Sequence, residues 1–149
     1  MTVTADQDRA DWLGLLARAD TAHLAGLWAR HGGAHVPRLL ARPETGMIRL
    51  TTDAAATGFQ FGQATCTRCV VEWNGLQGYA VQLGSDLKKA EMAACLDALL
   101  QSAPELRPDI LDPIRAALSA ERAERAQIAA ATAVRFYTTR TSTDECASR

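Results

Sequence analysis

Aromatic residues are scarce in this sequence. Three Trp, two Tyr and three Phe make up 5% of its 149 residues. They do not interleave with Lys or Arg, so the chain lacks the stacking platform that holds single-stranded nucleic acid. An excess of one charge is lacking too. Lys and Arg number 16 and Asp and Glu 17, for a formal net charge of -1. Nothing in that total points to a phosphate backbone or an anionic membrane surface. No apolar run approaches the roughly 20 residues that span a bilayer. The opening MTVTADQDRADW has neither the basic region nor the apolar stretch of a signal peptide. The expectation is a cytoplasmic chain with no nucleic-acid and no membrane partner. Its four cysteines, Cys66, Cys69, Cys95 and Cys146, are then reduced thiols.

Apolar residues, by contrast, reach 48%, enough for a core without disulfides or metals. The length suits one domain over residues 1–149, structured from about 8 to 139. Trp12, Leu15, Leu16 and Ala19 follow the spacing of one helical face, and Leu24, Leu27, Trp28 and His31 repeat it. Asp20 or Thr21 caps the second helix, and Gly32-Gly33 ends it. Together they read as an αα-hairpin of about 25 residues.

Strands follow. His35 to Ala41 is a weak one, Pro43-Glu44-Thr45-Gly46 reads as a turn, and Met47 to Thr52 is the next strand. Asp53 to Gly58 is a loop by composition. The segment FQFGQATCTRCVVEW is a long strand that places Phe59, Phe61, Thr65, Thr67, Cys69, Val71 and Trp73 on one face. Gly62 marks a bulge within it. Asn74-Gly75 is a hairpin turn, with Leu76 to Leu83 as the returning strand. Short connections argue for an antiparallel meander.

The helix from Asp86 to Gln101 has Ser85 as its cap and Met92, Cys95, Leu96 and Leu99 as its buried stripe. Pro104 and Pro108 mark a linker from Ser102 to Leu111. Asp112 caps, and Pro113 opens, an alanine-rich helix running to about Ala133. Val134 to Thr139 is a short final strand, and the tail from Arg140 is disordered. The fold class is therefore α+β. It has an N-terminal αα-hairpin, an antiparallel sheet of about four to five strands, two C-terminal helices and a short last strand.

Each motif with chemical potential has an ordinary structural explanation. Cys66 and Cys69 have metal or redox spacing. On a strand, however, residues three apart face opposite ways, and no second CxxC or His pair exists. Buried structural cysteines are the better reading. Gly84 to Lys89 opens a helix but lacks the P-loop glycines, so capping explains it. His23, His31 and His35 have no carboxylate at ligand spacing. Arg68 points away from Thr65 and Thr67, where it is either a surface charge or one half of an ion pair across an interface. The alanine-rich helix buries little by itself, which suits a solvated helix or one that completes a partner's surface.

The segment GYAVQLGSDLKKAEMAACLDALLQ, Gly78 to Gln101, resembles the most recognisable stretch of the G subunit of the carbon–phosphorus lyase system, the PhnG family. Gly78, Leu83, Gly84, Asp86, Ala90, Glu91, Asp97, Ala98, Leu99 and Gln101 stand where that pattern wants them. PETG at Pro43 to Gly46, FGQATCTR at Phe61 to Arg68 and VRFYTTR at Val134 to Arg140 are similar to further family segments, in the right order. The chain departs from the pattern in a shorter loop before Phe59, in Arg135 where the family has Asp, and in one residue fewer before Arg140.

The resemblance implies a soluble core complex with the H, I and J subunits. With the L component, the G, H and I components couple methylphosphonate to the ribose of ATP and displace adenine. The product is ribose 1-methylphosphonate 5-triphosphate, whose carbon–phosphorus bond the J component later breaks on an iron–sulfur cluster. The G subunit is required there, while the I subunit holds the nucleosidase site. The implied assignment has no catalytic, cofactor or metal residue in this chain. Candidate interface residues are Thr65, Thr67, Arg68, Arg135, Phe136 and Tyr137. The competing readings are a stand-alone small-ligand-binding domain and a thiol redox or zinc protein built on Cys66 and Cys69.

Overall fold

Asn74 and Gly75 adopt positive φ values of 52° and 77°. Two such residues in succession make the turn whose twist matches a β-hairpin. The hairpin they close sets the rest of the architecture. In the computed structural model, which describes residues 2–33, 36–52 and 59–132, the strands are β1 (Arg38–Thr52), β2 (Phe59–Trp73) and β3 (Leu76–Leu83). They form an antiparallel meander in the order β1-β2-β3. The helices are α1 (Thr2–Arg18), α2 (Thr21–His31), α3 (Leu87–Ser102) and α4 (Arg107–Ala131), with a short 3-10 turn at Pro104–Leu106 leading into α4.

The fold class is α+β as expected, but the described sheet has three strands and not four or five. The missing break is at Pro43 to Gly46. That segment does not turn the chain around. It is absorbed into one 15-residue strand by irregularities in pairing between Leu39 and Ala41 and between Ala41 and Glu44. A proline on an edge strand, where no ladder bond is demanded of its nitrogen, permits this. The bulge expected at Gly62 is present: Leu50 pairs with Gly62 and Thr51 with Gln60, leaving Phe61 as the extra residue. The segments Asp53 to Gly58 and Val134 to Thr139, and the tail from Arg140, lie outside the described residues.

Helix α3 lies at the centre. Every residue from Ala93 to Leu100 is buried, so the expected stripe of Cys95, Leu96 and Leu99 is only part of its buried surface. Met92 is partly buried against the same core. One face of α3 meets Thr67, Cys69 and Val71 of β2 and Ala80 of β3, and the other meets Leu16, Leu24 and Leu27. The expected αα-hairpin does not form a packing unit. Helices α1 and α2 make little contact with each other, and each rests on α3 instead. Asp20 explains the divergence. It holds an extended conformation and accepts bonds from the Ala22 and His23 amides at 2.9 and 3.3 Å, which caps α2 on a new heading.

Two helix starts differ from the sequence reading. Asp86, not Ser85, caps α3: its carboxylate accepts the Lys89 amide at 3.0 Å and the Thr21 hydroxyl at 2.6 Å. These bonds, the Thr21 one first, hold its carboxyl below the usual aspartate range. Helix α4 opens at Arg107 with Pro108 in its first turn, so Pro113 lies inside it and Asp112 is not its cap. An interior proline costs about 3 kcal/mol. Burial of Ile110, Leu111 and Ile114 offsets this, at about 1.5–3 kcal/mol for each side chain. The expected linker is therefore shorter than Ser102 to Leu111.

Candidate interface surfaces

Among the described residues the most densely bonded polar group is Asp97, fully buried on α3. Its carboxylate accepts the Arg9 guanidinium at 2.7 and 3.3 Å, the Trp12 indole N–H at 2.8 Å and the Tyr79 backbone N–H at 2.9 Å. The Gln101 amide adds a contact at 3.3 Å. Gln101 and Arg9 also donate to the Gln77 carbonyl at 2.9 and 3.0 Å. Strand β3 is an edge of the described sheet, and the Tyr79 N–H and Gln77 carbonyl bond these side chains. The aspartate, arginine and glutamine thus occupy bonding positions that a further strand would need.

Gly78 stands beside this cluster. A Cβ there would lie 2.0 Å from the Ala94 carbonyl oxygen and 2.8 Å from the Ala98 nitrogen. Only glycine lets β3 approach α3 so closely. The family-like residues Gly78, Asp97, Ala98 and Gln101 therefore meet in one strand–helix junction and serve the fold. Gly84 serves it as well. Its φ of 97° turns the chain from β3 toward α3, while its N–H bonds the Thr65 carbonyl at 2.9 Å.

The candidate interface residues separate. Thr67 is fully buried, donating to the Gly84 carbonyl at 2.7 Å with its hydroxyl 3.2 Å from that of Thr45. Thr65 is exposed. Arg68 is exposed on the opposite sheet face and pairs with Glu44 of β1. Nearby, Arg38 pairs with Glu72 at 2.7 Å. Arg68 and Glu44 border a hollow of about 300 Å³ with Gly46, Ile48 and Cys66. Arg135, Phe136 and Tyr137 lie outside the described residues.

The cysteines divide as strand parity requires. Cys69 is buried against α3, and Cys66 is half-buried on the other face. Cys69 donates to the Ala41 carbonyl at 3.5 Å. Burial, reinforced by the nearby Glu91 carboxylate, pushes the Cys69 thiol up to about 11 and the Cys95 thiol to about 12. Both are poor nucleophiles in this setting. Among the described residues no three His, Cys, Asp or Glu side chains gather at metal-binding distance. His23 borders a cleft of about 410 Å³ between Arg18, Thr21, Lys89 and α4, while His31 ends α2. His35 is not among the described residues.

Residues 7–140 match the family described as phosphonate metabolism protein PhnG. The chain belongs to the PhnG family. It is also 33% identical, over 135 residues, to the alpha-D-ribose 1-methylphosphonate 5-triphosphate synthase subunit PhnG of Rhizobium meliloti (strain 1021). That alignment covers 87% of this chain and 86% of the relative. Set beside the PhnG assignment, two exposed projections stand out. Distal α4, from Ser119 to Ala131, is exposed throughout, and Ile128 there is 60% exposed. The far ends of β1 and β2 extend past β3, which pairs only with Cys66 to Trp73. Sequence reasoning missed the Asp97 junction, because Arg9 and Asp97 are 88 residues apart. It also missed the projecting ribbon: both of its strands were expected, but nothing in the sequence marks where β3 stops pairing.

Proposed function

We propose that this chain is an assembly subunit of the carbon–phosphorus lyase core complex, acting in organophosphonate breakdown in the cytoplasm. It joins the H, I and J subunits. With the H, I and L components it supports the transfer that couples methylphosphonate to the ribose of ATP and releases adenine. In this reading it contributes no catalytic residue of its own. The observation that carries the proposal is membership of the PhnG family together with likeness over 87% of the chain to a protein named as a synthase subunit. The geometry supports the non-catalytic half. Asp97, the one fully buried carboxylate in the family-like segment, spends its lone pairs on Arg9, Trp12 and Tyr79. A side chain bonded in that way ties α1 and β3 to α3.

The test is adenine release from ATP and methylphosphonate. Mixtures of the H, I and L components should release adenine only when this chain is added. The chain alone should release none. Release by the chain alone overturns the non-catalytic assignment, and full activity without it overturns the assembly role.

A further inference from the structure

The reading as an assembly subunit leaves open which surface meets a partner, and the inference here rests on that reading. Beyond the Thr65–Gly84 bond, β1 and β2 continue as a two-stranded ribbon, Met47–Thr52 against Phe59–Thr65. Each residue rises about 3.3 Å, so the ribbon projects roughly 20 Å. An isolated pair of strands is marginal in water because neither face is covered. This ribbon also carries large apolar side chains in the open. Met47 is 72% exposed, Phe61 60% and Ile48 39%. Register places Met47 and Arg49 opposite Thr65 and Gln63, on the helix-side face, and Ile48 opposite Ala64 on the other. Each strand of the ribbon therefore exposes large apolar side chains among polar neighbours, and no described element covers them.

Charge indicates what covers them. Strands β1 and β2 carry Arg38, Arg42, Arg49 and Arg68 against Glu44 and Glu72. Arg38 and Arg68 are matched by Glu72 and Glu44. Arg42 and Arg49 make no ion pair among the described residues, and both are exposed. Pro43 and the irregular pairing around it interrupt the outer edge of β1 before the ribbon begins, which limits edge-to-edge pairing of a second copy to the short ribbon itself. We propose that the distal β1–β2 ribbon is a docking arm that inserts into an apolar, acid-rimmed groove on another subunit of the complex. Met47, Phe61 and Ile48 fill the groove, and Arg49 meets a carboxylate at its rim.

The chain is co-expressed with the H, I and J subunits and the assembly is followed by size-exclusion chromatography. Wild type should enter the complex. The double variant Met47→Asp/Phe61→Asp should remain folded and elute outside it. Arg49→Glu should weaken assembly at least tenfold at low salt and flatten its salt dependence, while Arg49→Lys should restore most of it. Hydrogen–deuterium exchange on the wild-type complex, which needs no variant to fold, should show residues 47–52 and 59–65 protected relative to the free chain. Assembly of the double variant with wild-type affinity, or unprotected ribbon amides in the complex, overturns the docking arm and leaves the assembly role standing. A homodimer of the lone chain that the double variant dissolves overturns the choice of occupant. A wild-type chain that ignores every subunit overturns the assembly reading itself.

Discussion

Helices α3 and distal α4 are built from the same residue and end in opposite surroundings. In α3, Ala90, Ala93, Ala94 and Ala98 are all buried. In α4, Ala116, Ala117, Ala120, Ala123, Ala126, Ala129, Ala130 and Ala131 are all exposed. Helix propensity treats the two segments alike. What separates them is the opposing surface. Gly78 offers α3 a bare backbone against Ala94 and Ala98, and Leu96, Leu99 and Leu100 fill the remaining space. Beyond Leu118, which packs partly against the core, distal α4 meets no such complement among the described residues. A small side chain permits close packing but does not cause it, because the apolar area it removes from water is small.

That contrast can be broken most severely at Asp97. Asp97→Ala should cost about 3–5 kcal/mol, since it leaves the Arg9 cation and two N–H donors without their acceptor. Urea denaturation measures this, and a loss under 1 kcal/mol would show the junction to be dispensable. Leu96→Ala or Leu99→Ala should each cost about 2–5 kcal/mol, with an unchanged midpoint counting against a central α3. Gly78→Ala should cost about 1–3 kcal/mol or more, because the Ala94 backbone must give way. A neutral result would mean that β3 and α3 are not in close contact.

The buried thiols give a smaller, pH-dependent effect. The folded state raises Cys69 and Cys95 above their ordinary value of 9.0, to about 11 and about 12. Their contribution to stability is therefore complete below pH 9 and lost as pH rises from there toward 11 and 12. At pH 8 both should resist a thiol reagent in the native chain and react on unfolding; fast native labelling of either would contradict the core position. Smallest of all, Arg125→Ala breaks only an exposed i,i+4 pair with Glu121. It should change stability by about 0.3–0.5 kcal/mol, and a loss above 1 kcal/mol would mean that distal α4 packs on something in the isolated chain.

Local signals were the legible ones. The Asn74-Gly75 turn, the Asp20 cap, the Gly62 bulge and the α3 stripe follow from residues within a few positions of one another, where stereochemistry dictates the outcome. What escaped depends on distance along the chain or on competition. Pro43 reads as a turn because proline so often makes one, yet an edge strand tolerates it. Pro113 reads as a helix start, yet burial of its neighbours overrides the penalty. The interface candidates were only partly legible. Strand parity separated Thr67 from Arg68 correctly, but it did not reveal that Thr67 is sealed beneath Gly84. The ribbon was hidden because no local pattern reports where β3 stops pairing.

The span between Arg9 and Asp97 also bears on synthesis. A ribosome adds about 5–20 residues per second, so the separation of 88 residues takes about 4–18 s to synthesise. Throughout that interval Trp12 and Leu16 have no α3 to rest on. The β2–β3 hairpin and α3 are neighbours in sequence and close first at low entropic cost, so α1 is a late arrival. A nascent chain stalled short of Asp97 should leave α1 open to protease, and one extended past Gln101 and clear of the exit tunnel should protect it.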